Sequence, residues 1–171
     1  MSDLKLYCRD VPDFPKKGII FKDITVLLKE PAKFSEAIDR IAQRYVGKGI
    51  DIVASIESRG FIIGAALAYK LGAGFVPVRK KGKLPWQTIG CTYELEYGTD
   101  TLEIHQDAIK PGQKVLIVDD LIATGGTAGA VVSLVEQLGG KIHGLAFLIE
   151  LTFLKGREKI KKYPVFSLIK Y

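Results

Sequence analysis

Short apolar runs typical of buried strands alternate along this chain with segments of helical periodicity. The strand-like runs span residues 51–56, 75–78, 114–118, 142–149 and 165–169, and the helical segments span 31–45, 61–71 and 127–138. This alternation predicts an α/β fold in which helices flank a mainly parallel, twisted sheet. Ligands of such sheets bind beyond the carboxyl ends of the strands, so the loops at those ends form the candidate site.

The length and charge of the chain narrow the class of protein. Its 171 residues predict one domain with a real hydrophobic core. The net charge of +6 suits nucleic acids, membrane surfaces or small anionic substrates, but the basic residues form two short clusters, 79–83 and 155–162, without interleaved aromatic side chains. The N-terminus lacks the apolar core of a signal peptide, and the longest apolar runs, about ten residues, are too short to cross a bilayer. We therefore expect a cytoplasmic protein that binds neither nucleic acid nor membrane.

The most informative segment, residues 115–127, reads Val-Leu-Ile-Val-Asp-Asp-Leu-Ile-Ala-Thr-Gly-Gly-Thr. An apolar strand ends in two acids, and a small glycine-rich turn then leads into a helix. Glycines let the backbone approach a ligand closely, and the free N–H groups and dipole at a helix start attract an anion. The acids would repel a phosphate but suit the hydroxyls of a neighbouring ribose. The segment therefore predicts a sugar monophosphate site, with Asp119 and Asp120 on the ribose diol and backbone amides on the 5′-phosphate.

A purely structural alternative for this segment is a glycine-rich helix start whose two acids are favoured by the helix dipole. That alternative accounts for one aspartate and one glycine, but not for the whole pattern. Two other phosphate-binding motifs, GxxxxGK[ST] and GxGxxG, do not occur in the sequence. The two histidines, His105 and His143, lie far apart in the sequence, and we expect no metal site held by the protein alone.

Residues 115–127 resemble the phosphoribosyl pyrophosphate loop of the type I phosphoribosyltransferases. In that family the two acids contact the ribose hydroxyls, and the loop that follows binds the 5-phosphate. The resemblance implies that Asp119 and Asp120 hold the ribose of both the donor and the nucleotide product. The loop residues that it assigns to the 5-phosphate are Ala123, Thr124, Gly125, Gly126 and Thr127.

Two basic segments follow strand-like runs, Glu-Ser-Arg-Gly-Phe at 57–61 and Val-Arg-Lys-Lys-Gly-Lys-Leu-Pro at 78–85. Pyrophosphate needs cations, and arginine grips phosphate oxygens as a fork while lysine acts as a point charge. The second segment is by itself also compatible with a solvated basic loop. Both resemble the adenine-specific branch of the family, which often has a non-proline cis peptide before the serine. The residues that this resemblance assigns to pyrophosphate are Glu57, Ser58, Arg59, Arg79, Lys80 and Lys83.

Residues 87–97 and 101–105 alternate polar and apolar side chains and predict a hairpin or flexible flap that turns at 98–100. A flap would exclude water, which would otherwise attack the activated ribose. A carboxyl group near the purine could move its proton, although spacing alone leaves an exposed strand residue as an equal alternative. The adenine branch carries Leu-Glu-Tyr-Gly at this point, which implies Glu96 as the catalytic acid/base and Tyr97 in closure of the flap. Glu94 is the alternative acid.

Residues 13–24, Asp-Phe-Pro-Lys-Lys-Gly-Ile-Ile-Phe-Lys-Asp-Ile, precede the first long helix, and residues 10–20 are predicted to be a loop. Phe21 could stack on a purine, and it could equally anchor the loop to the core. The segment resembles the N-terminal hood of the adenine branch, which implies adenine-binding roles for Ile20, Phe21 and Lys22. Lys22 departs from that branch, where arginine is common, as does Trp86, where glycine is common.

The resemblance extends from residue 13 to the end of the chain. It implies a single phosphoribosyltransferase domain over residues 1–171, with the base-binding hood at 1–30 and the basic loop and flap at 79–106. The implied activity is purine salvage, the transfer of the 5-phosphoribosyl group from phosphoribosyl pyrophosphate to adenine, which gives AMP and pyrophosphate. Mg²⁺ is expected to arrive on the donor, and the family is typically homodimeric. The alternatives are a sibling transferase for another purine and a non-catalytic regulator that senses the donor.

Overall fold

The computed structural model describes residues 3–94 and 98–171. The chain divides into two compact units, Met1–Arg40 and Ile41–Tyr171. Among the described residues, no helix is both long enough and apolar enough to span a bilayer.

The first unit contains a small antiparallel hairpin. Strand β1 (Arg9–Pro12) pairs with β2 (Ile20–Asp23), and the short helix α1 (Thr25–Lys29) follows. Helix α2 (Pro31–Ala42) begins at the predicted proline, because a helix does not need the N–H of its first residue. The prediction of a loop over residues 10–20 was wrong at both ends, because β1 runs to Pro12 and β2 begins at Ile20. Proline is tolerated in β1 because both strands of a two-stranded sheet are edge strands.

One sheet dominates the second unit. Its strands are β3 (Ile52–Ile56), β4 (Gly74–Lys80), β5 (Thr88–Glu94), β6 (Thr99–His105), β7 (Lys114–Ile122), β8 (Lys141–Glu150) and β9 (Val165–Lys170). Within the described residues, the order across the sheet is β5-β6-β4-β3-β7-β8-β9. The last five strands in that order are parallel, and the antiparallel β5–β6 hairpin joins β4 through two residue pairs, Arg79↔Glu103 and Lys80↔Leu102. The predicted α/β fold with a mainly parallel sheet is confirmed.

Two long helices cover this sheet. Helix α3 (Arg59–Leu71) contacts β3 and β7, and α4 (Gly126–Gln137) contacts β7 and β8. The central strand β7 is buried along its apolar part, residues 115–118, which are fully inaccessible to solvent. Burial on both faces explains why its sequence is continuously apolar instead of alternating. Since the central strands are parallel, their carboxyl ends emerge at one edge, where α3 and α4 begin.

Two strands extend further than the apolar pattern indicates. Strand β4 runs to Lys80 and β7 runs to Ile122, so Arg79 and Lys80 are strand residues and the two acids lie within β7 instead of after it. Hydrophobicity marks the buried part of a strand, whereas backbone pairing continues into polar residues at its carboxyl end. Strand β6 begins at Thr99, so residues 99 and 100 belong to a strand and not to the turn predicted at 98–100.

Candidate functional site

A cavity of about 500 Å³ opens at the carboxyl ends of β3, β4 and β7. Its wall consists of residues 56–59 and 119–128, together with Lys80, Tyr93, Asp100, Leu102 and Phe147. The structure therefore brings two segments that are distant in sequence to one place, the acid-rich loop and the Glu-Ser-Arg segment, as the resemblance implied. Arg79 and Lys83 are held close to this wall by Glu57, which lines it.

The carboxyl groups of Asp119 and Asp120 lie side by side in the cavity wall, with only 9% and 6% of each residue exposed. Asp119 Oδ1 accepts a hydrogen bond of 2.9 Å from the Asp120 N–H. Asp120 Oδ2 lies 2.8 Å from Arg59 Nε, at the start of α3. A Cβ atom at Gly60 would lie 2.5 Å from Asp119 Oδ1, so glycine is required where this helix passes the acid.

Burial dominates the protonation of this carboxyl pair. Removal from water raises the pKa of Asp119 well above 3.8, and the adjacent charge of Asp120 raises it further. Burial also raises the pKa of Asp120, although the Arg59 guanidinium offsets part of that shift. Ionised carboxyls removed from water are costly unless hydrogen-bond donors replace the water. A vicinal diol supplies such donors, which suits the ribose predicted at this position.

The loop after β7 forms an anion cradle at the start of α4. Gly125 adopts a left-handed conformation, φ 79°, and serves as the N-cap of the helix, a conformation that glycine reaches without steric cost. The first N–H groups of α4 have no acceptors within the helix, and the helix dipole adds positive charge at this end. Thr124, Gly126 and Thr127 also line the cavity, so residues with amide and hydroxyl donors are placed at the helix start, where a phosphate would bind.

Glu57 organises the basic residues beside the cavity. The Glu57–Ser58 peptide is cis, as the resemblance implied. The Glu57 carboxylate accepts a hydrogen bond from the Lys80 N–H at 2.8 Å and contacts Arg79 Nε at 2.9 Å and Lys83 Nζ at 3.2 Å. Burial alone would raise the pKa of Glu57, but these three partners together lower it below its ordinary value. The carboxylate therefore stays ionised and holds two of the predicted pyrophosphate ligands in place.

Lys80 has a carboxylate partner that the sequence did not indicate. Its Nζ lies 3.0 Å from Asp100 Oδ2 on β6, and both residues line the cavity. Hydrogen bonding to Asp100 raises the pKa of Lys80 and lowers that of Asp100. Asp100 pairs with Tyr93 across the β5–β6 hairpin. The register of the predicted hairpin is therefore the sequence signal that could have linked these two cavity residues to each other. Each predicted pyrophosphate cation is thus paired with a carboxylate of the chain.

The residues predicted to bind adenine lie in the first unit. Ile20, Phe21 and Lys22 all belong to β2. The Phe21 ring meets the edge of Phe14 at a centroid distance of 5.1 Å, and Lys22 Nζ lies 2.6 Å from Asp10 Oδ1. Glu96 and Tyr97 lie outside the described residues. In residues 3–94 and 98–171, no group of three or more histidine, cysteine, aspartate or glutamate side chains could hold a metal ion.

Comparison with known proteins gives consistent matches over the whole chain. Residues 27–170 match the model of the phosphoribosyl transferase domain family. An adenine phosphoribosyltransferase of Trichlorobacter lovleyi is 62% identical over 171 residues, 100% of both chains. The crystal structure of adenine phosphoribosyltransferase from Thermoanaerobacter pseudethanolicus matches with a TM-score of 0.96 and 56% identity, over 98% of both chains. The Saccharomyces cerevisiae enzyme, complexed with an imino-altritol bisphosphate and adenine, matches with a TM-score of 0.91 and 47% identity, over 96% of both chains.

Replacement of Asp119 by asparagine is expected to stabilise the folded protein at neutral pH. The pKa of Asp119 is higher in the folded state than in the unfolded chain, so stability falls as the pH rises from the unfolded value through the folded value. Asparagine carries no charge and retains an acceptor for the Asp120 N–H. The gain should appear in urea unfolding at neutral pH and disappear below pH 3.8, the ordinary pKa of aspartate.

The matched control for this experiment is Asp107→Asn, which removes a carboxylate from an exposed position. This variant should unfold like the wild-type protein at both pH values. Equal stability of the wild type and the Asp119→Asn variant at neutral pH would show that the buried charge of Asp119 does not destabilise the folded protein.

Proposed function

Since the chain belongs to the adenine phosphoribosyltransferases of the phosphoribosyl transferase family, we propose that it transfers the 5-phosphoribosyl group of phosphoribosyl pyrophosphate to adenine. The products are AMP and pyrophosphate, and the reaction salvages a free purine base. One observation carries the proposal: a single cavity contains a carboxylate pair, a helix-start anion cradle and basic side chains. These parts correspond to the ribose, the 5-phosphate and the pyrophosphate of one donor molecule.

The donor is anchored at its ribose and at its 5-phosphate. Asp119 and Asp120 accept hydrogen bonds from the 2′- and 3′-hydroxyls, which replace the water lost on burial. The amides of residues 123–127 and the hydroxyls of Thr124 and Thr127 donate to the 5-phosphate. Two anchors on one sugar restrict its rotation, so its anomeric carbon is presented in a fixed orientation to the base.

The basic residues stabilise the leaving group. As the bond from the anomeric carbon to the pyrophosphate oxygen breaks, its electron pair leaves with the oxygen, and negative charge grows on the pyrophosphate. Arg59, Arg79, Lys80 and Lys83 supply positive charge there, and the main chain at Ser58 adds a donor. Glu57 contributes indirectly, because it holds Arg79 and Lys83 in place.

Mg²⁺ is proposed to be held mainly by pyrophosphate oxygens and water, and when bound it supplies charge neutralisation. The residues of the cavity fit a metal carried in this way. The Glu57 carboxylate is occupied by the Lys80 N–H, Arg79 and Lys83, and Asp120 is paired with Arg59. These contacts leave the donor oxygens as the main ligands.

Adenine is proposed to bind to the hood and to react through N9. Phe21, whose ring is set by its edge contact with Phe14, stacks on the purine. Backbone groups of Ile20 and Lys22 pair with the donor and acceptor atoms at N6 and N1. N9 bonds to the anomeric carbon as pyrophosphate departs, and the N9 proton passes to the Glu96 carboxylate. Tyr97 helps to close the flap, and Glu94 is the alternative acid.

The proposed working unit is one cytoplasmic domain over residues 1–171 that pairs with a second copy of itself and binds neither nucleic acid nor membrane. Its hood spans residues 1–30, and its basic loop and flap span 79–106. An exposed apolar face on α3 supports the homodimer. Ile62 and Tyr69 are 44% and 91% exposed and lie seven residues apart, on one side of the helix. Exposed apolar patches of this kind mark contact surfaces.

A panel of purine bases tests the activity. With phosphoribosyl pyrophosphate and Mg²⁺, adenine should give AMP, and hypoxanthine, guanine and xanthine should react at least about a hundredfold more slowly. EDTA should stop the reaction. Faster reaction with another base would indicate a sibling transferase, and donor binding without any product would indicate a regulator.

The catalytic acid is tested separately. Glu96→Gln should lower kcat by about 10²–10⁴-fold, whereas Glu94→Gln should retain most of the wild-type kcat.

Substitution of Asp100 by asparagine is expected to strengthen pyrophosphate binding. Asp100 neutralises Lys80 at 3.0 Å, and a partly exposed ion pair contributes about 0.2–1 kcal/mol, so the dissociation constant should fall by up to about fivefold. Calorimetric titration with magnesium pyrophosphate measures the change. Asp107→Asn alters the net charge equally at an exposed position and should have no effect. Equal pyrophosphate affinities of the Asp100→Asn variant and the wild type would show that Asp100 does not compete with pyrophosphate for Lys80.

The dimer proposal predicts that Tyr69→Glu weakens self-association by about a hundredfold or more, because an unpaired carboxylate would be buried at the contact. Sedimentation velocity over a concentration series gives the dissociation constant. Val46→Glu, at another exposed apolar position outside α3, is the control and should leave the dimer intact. A monomeric wild-type protein, or a fully dimeric Tyr69→Glu variant, would exclude this face as the interface.

A further inference from the structure

The main chain of a C-terminal 3₁₀ turn, Gly156–Ile160, packs directly against the loop after β7. A Cβ atom at Gly125 would lie 2.2 Å from the carbonyl oxygen of Gly156, and a Cβ atom at Gly156 would lie 2.3 Å from the carbonyl oxygen of Ala123. No side chain fits between the two backbones. The path of the anion cradle is therefore limited by the position of Gly156.

Arg157 fixes the position of this turn. Its Nε and Nη2 atoms donate to the two carboxylate oxygens of Glu150 at 2.5 and 2.6 Å. Its Nη1 donates to the Val165 carbonyl at 2.9 Å, and Nη2 also lies 3.3 Å from Ser167 Oγ. Such a fork is more rigid than a contact made by a lysine. The guanidinium thus ties the turn to both β8 and β9.

Glu150 connects this contact to the strand that leads into the cradle. It is the last residue of β8 and pairs in register with Ile122, the last residue of β7. The N–H of Leu151 donates to the Ile122 carbonyl at 3.0 Å. Hydrogen bonding from Arg157 lowers the pKa of Glu150, so the carboxylate stays ionised at neutral pH. On the other side of Gly156, Lys155 adopts φ 52°, a conformation that non-glycine residues keep only where their surroundings impose it.

We propose that Glu150, Gly156 and Arg157 are positioning residues that hold the 5-phosphate loop from behind. None of them lines the cavity, and the inference rests on the proposed phosphate-binding role of residues 123–127. Backbone amides bind an anion well only when they are aimed in advance, because each donor must point at one site. A loop without this support should keep its charge, but its backbone amides should no longer point at one anion site.

Separate binding of the two halves of the donor tests the proposal. Ribose 5-phosphate and magnesium pyrophosphate are titrated calorimetrically into wild-type protein and into Gly156→Ala, Arg157→Ala and Arg157→Lys. Gly156→Ala and Arg157→Ala should weaken ribose 5-phosphate binding by about tenfold or more, since a displacement of about 1 Å is enough for such losses. Pyrophosphate binding should change less than about twofold, because its proposed ligands lie between β3 and the start of α3 and at the end of β4. Arg157→Lys should restore part of the loss.

Two control variants match these changes. Gly129→Ala adds a methyl group on α4 where nothing lies within 4 Å, and Lys159→Ala removes an exposed charge from the same 3₁₀ turn. Both should bind ribose 5-phosphate like the wild type. In turnover, Arg157→Lys should raise KM for the donor and leave KM for adenine unchanged.

Two outcomes would overturn the inference. Unchanged ribose 5-phosphate binding in Gly156→Ala and Arg157→Lys would show that the turn does not set the loop. Parallel losses of both ligands with a lower Tm would show a role in stability alone. If Arg157→Ala does not fold, Gly156→Ala and Arg157→Lys decide the question by the same criteria. If the wild-type protein does not bind ribose 5-phosphate at all, the proposed function itself is refuted. The wild-type titration alone separates this outcome from a failure of the inference.

Discussion

Two carboxyl groups buried side by side near the end of the central strand are the constraint around which this structure is arranged. Asp119 and Asp120 are removed from water, and the guanidinium of Arg59 compensates only part of the electrostatic cost. The close approach of α3 at Gly60 leaves the acids facing one cavity. A fold optimised for stability alone would avoid such a pair. The proposed ribose would account for this pair, because its hydroxyls would complete the hydrogen bonding.

The basic residues around the cavity form ion pairs with carboxylates of the same chain. They are not a solvated run, because each of the four predicted pyrophosphate cations already contacts a carboxylate of the chain. Those carboxylates orient the cations and limit their attraction to other anions. A ligand must therefore offer more charge, or better geometry, than the carboxylates that it displaces. The proposed pyrophosphate has more anionic oxygens to share among these cations than an isolated phosphate has.

The sequence predicted the parts of the fold and site that are built locally. Residues 115–127 contain strand, loop and helix start in one stretch, so their chemistry can be interpreted without knowledge of any partner. The contact of Lys80 with Asp100 depends on the neighbouring positions of β4 and β6, which no local pattern encodes. The continuation of β7 to Ile122 was missed because polar residues can pair through their backbones without burying apolar surface. Gly156 was missed because its neighbours in space lie some thirty residues earlier.

The attachment of the β5–β6 hairpin has a mechanical consequence. Among the described residues, two ladder pairs, at Arg79 and Lys80, join it to the five parallel strands. Its other support is the start of α4, because a Cβ atom at Gly126 would lie 3.0 Å from the Glu94 carbonyl oxygen. Lys80 lines the cavity and contacts Asp100 on β6 at 3.0 Å. A ligand that draws the Lys80 ammonium group away from Asp100, or that fills the helix start, would therefore act directly on the two places that carry the hairpin.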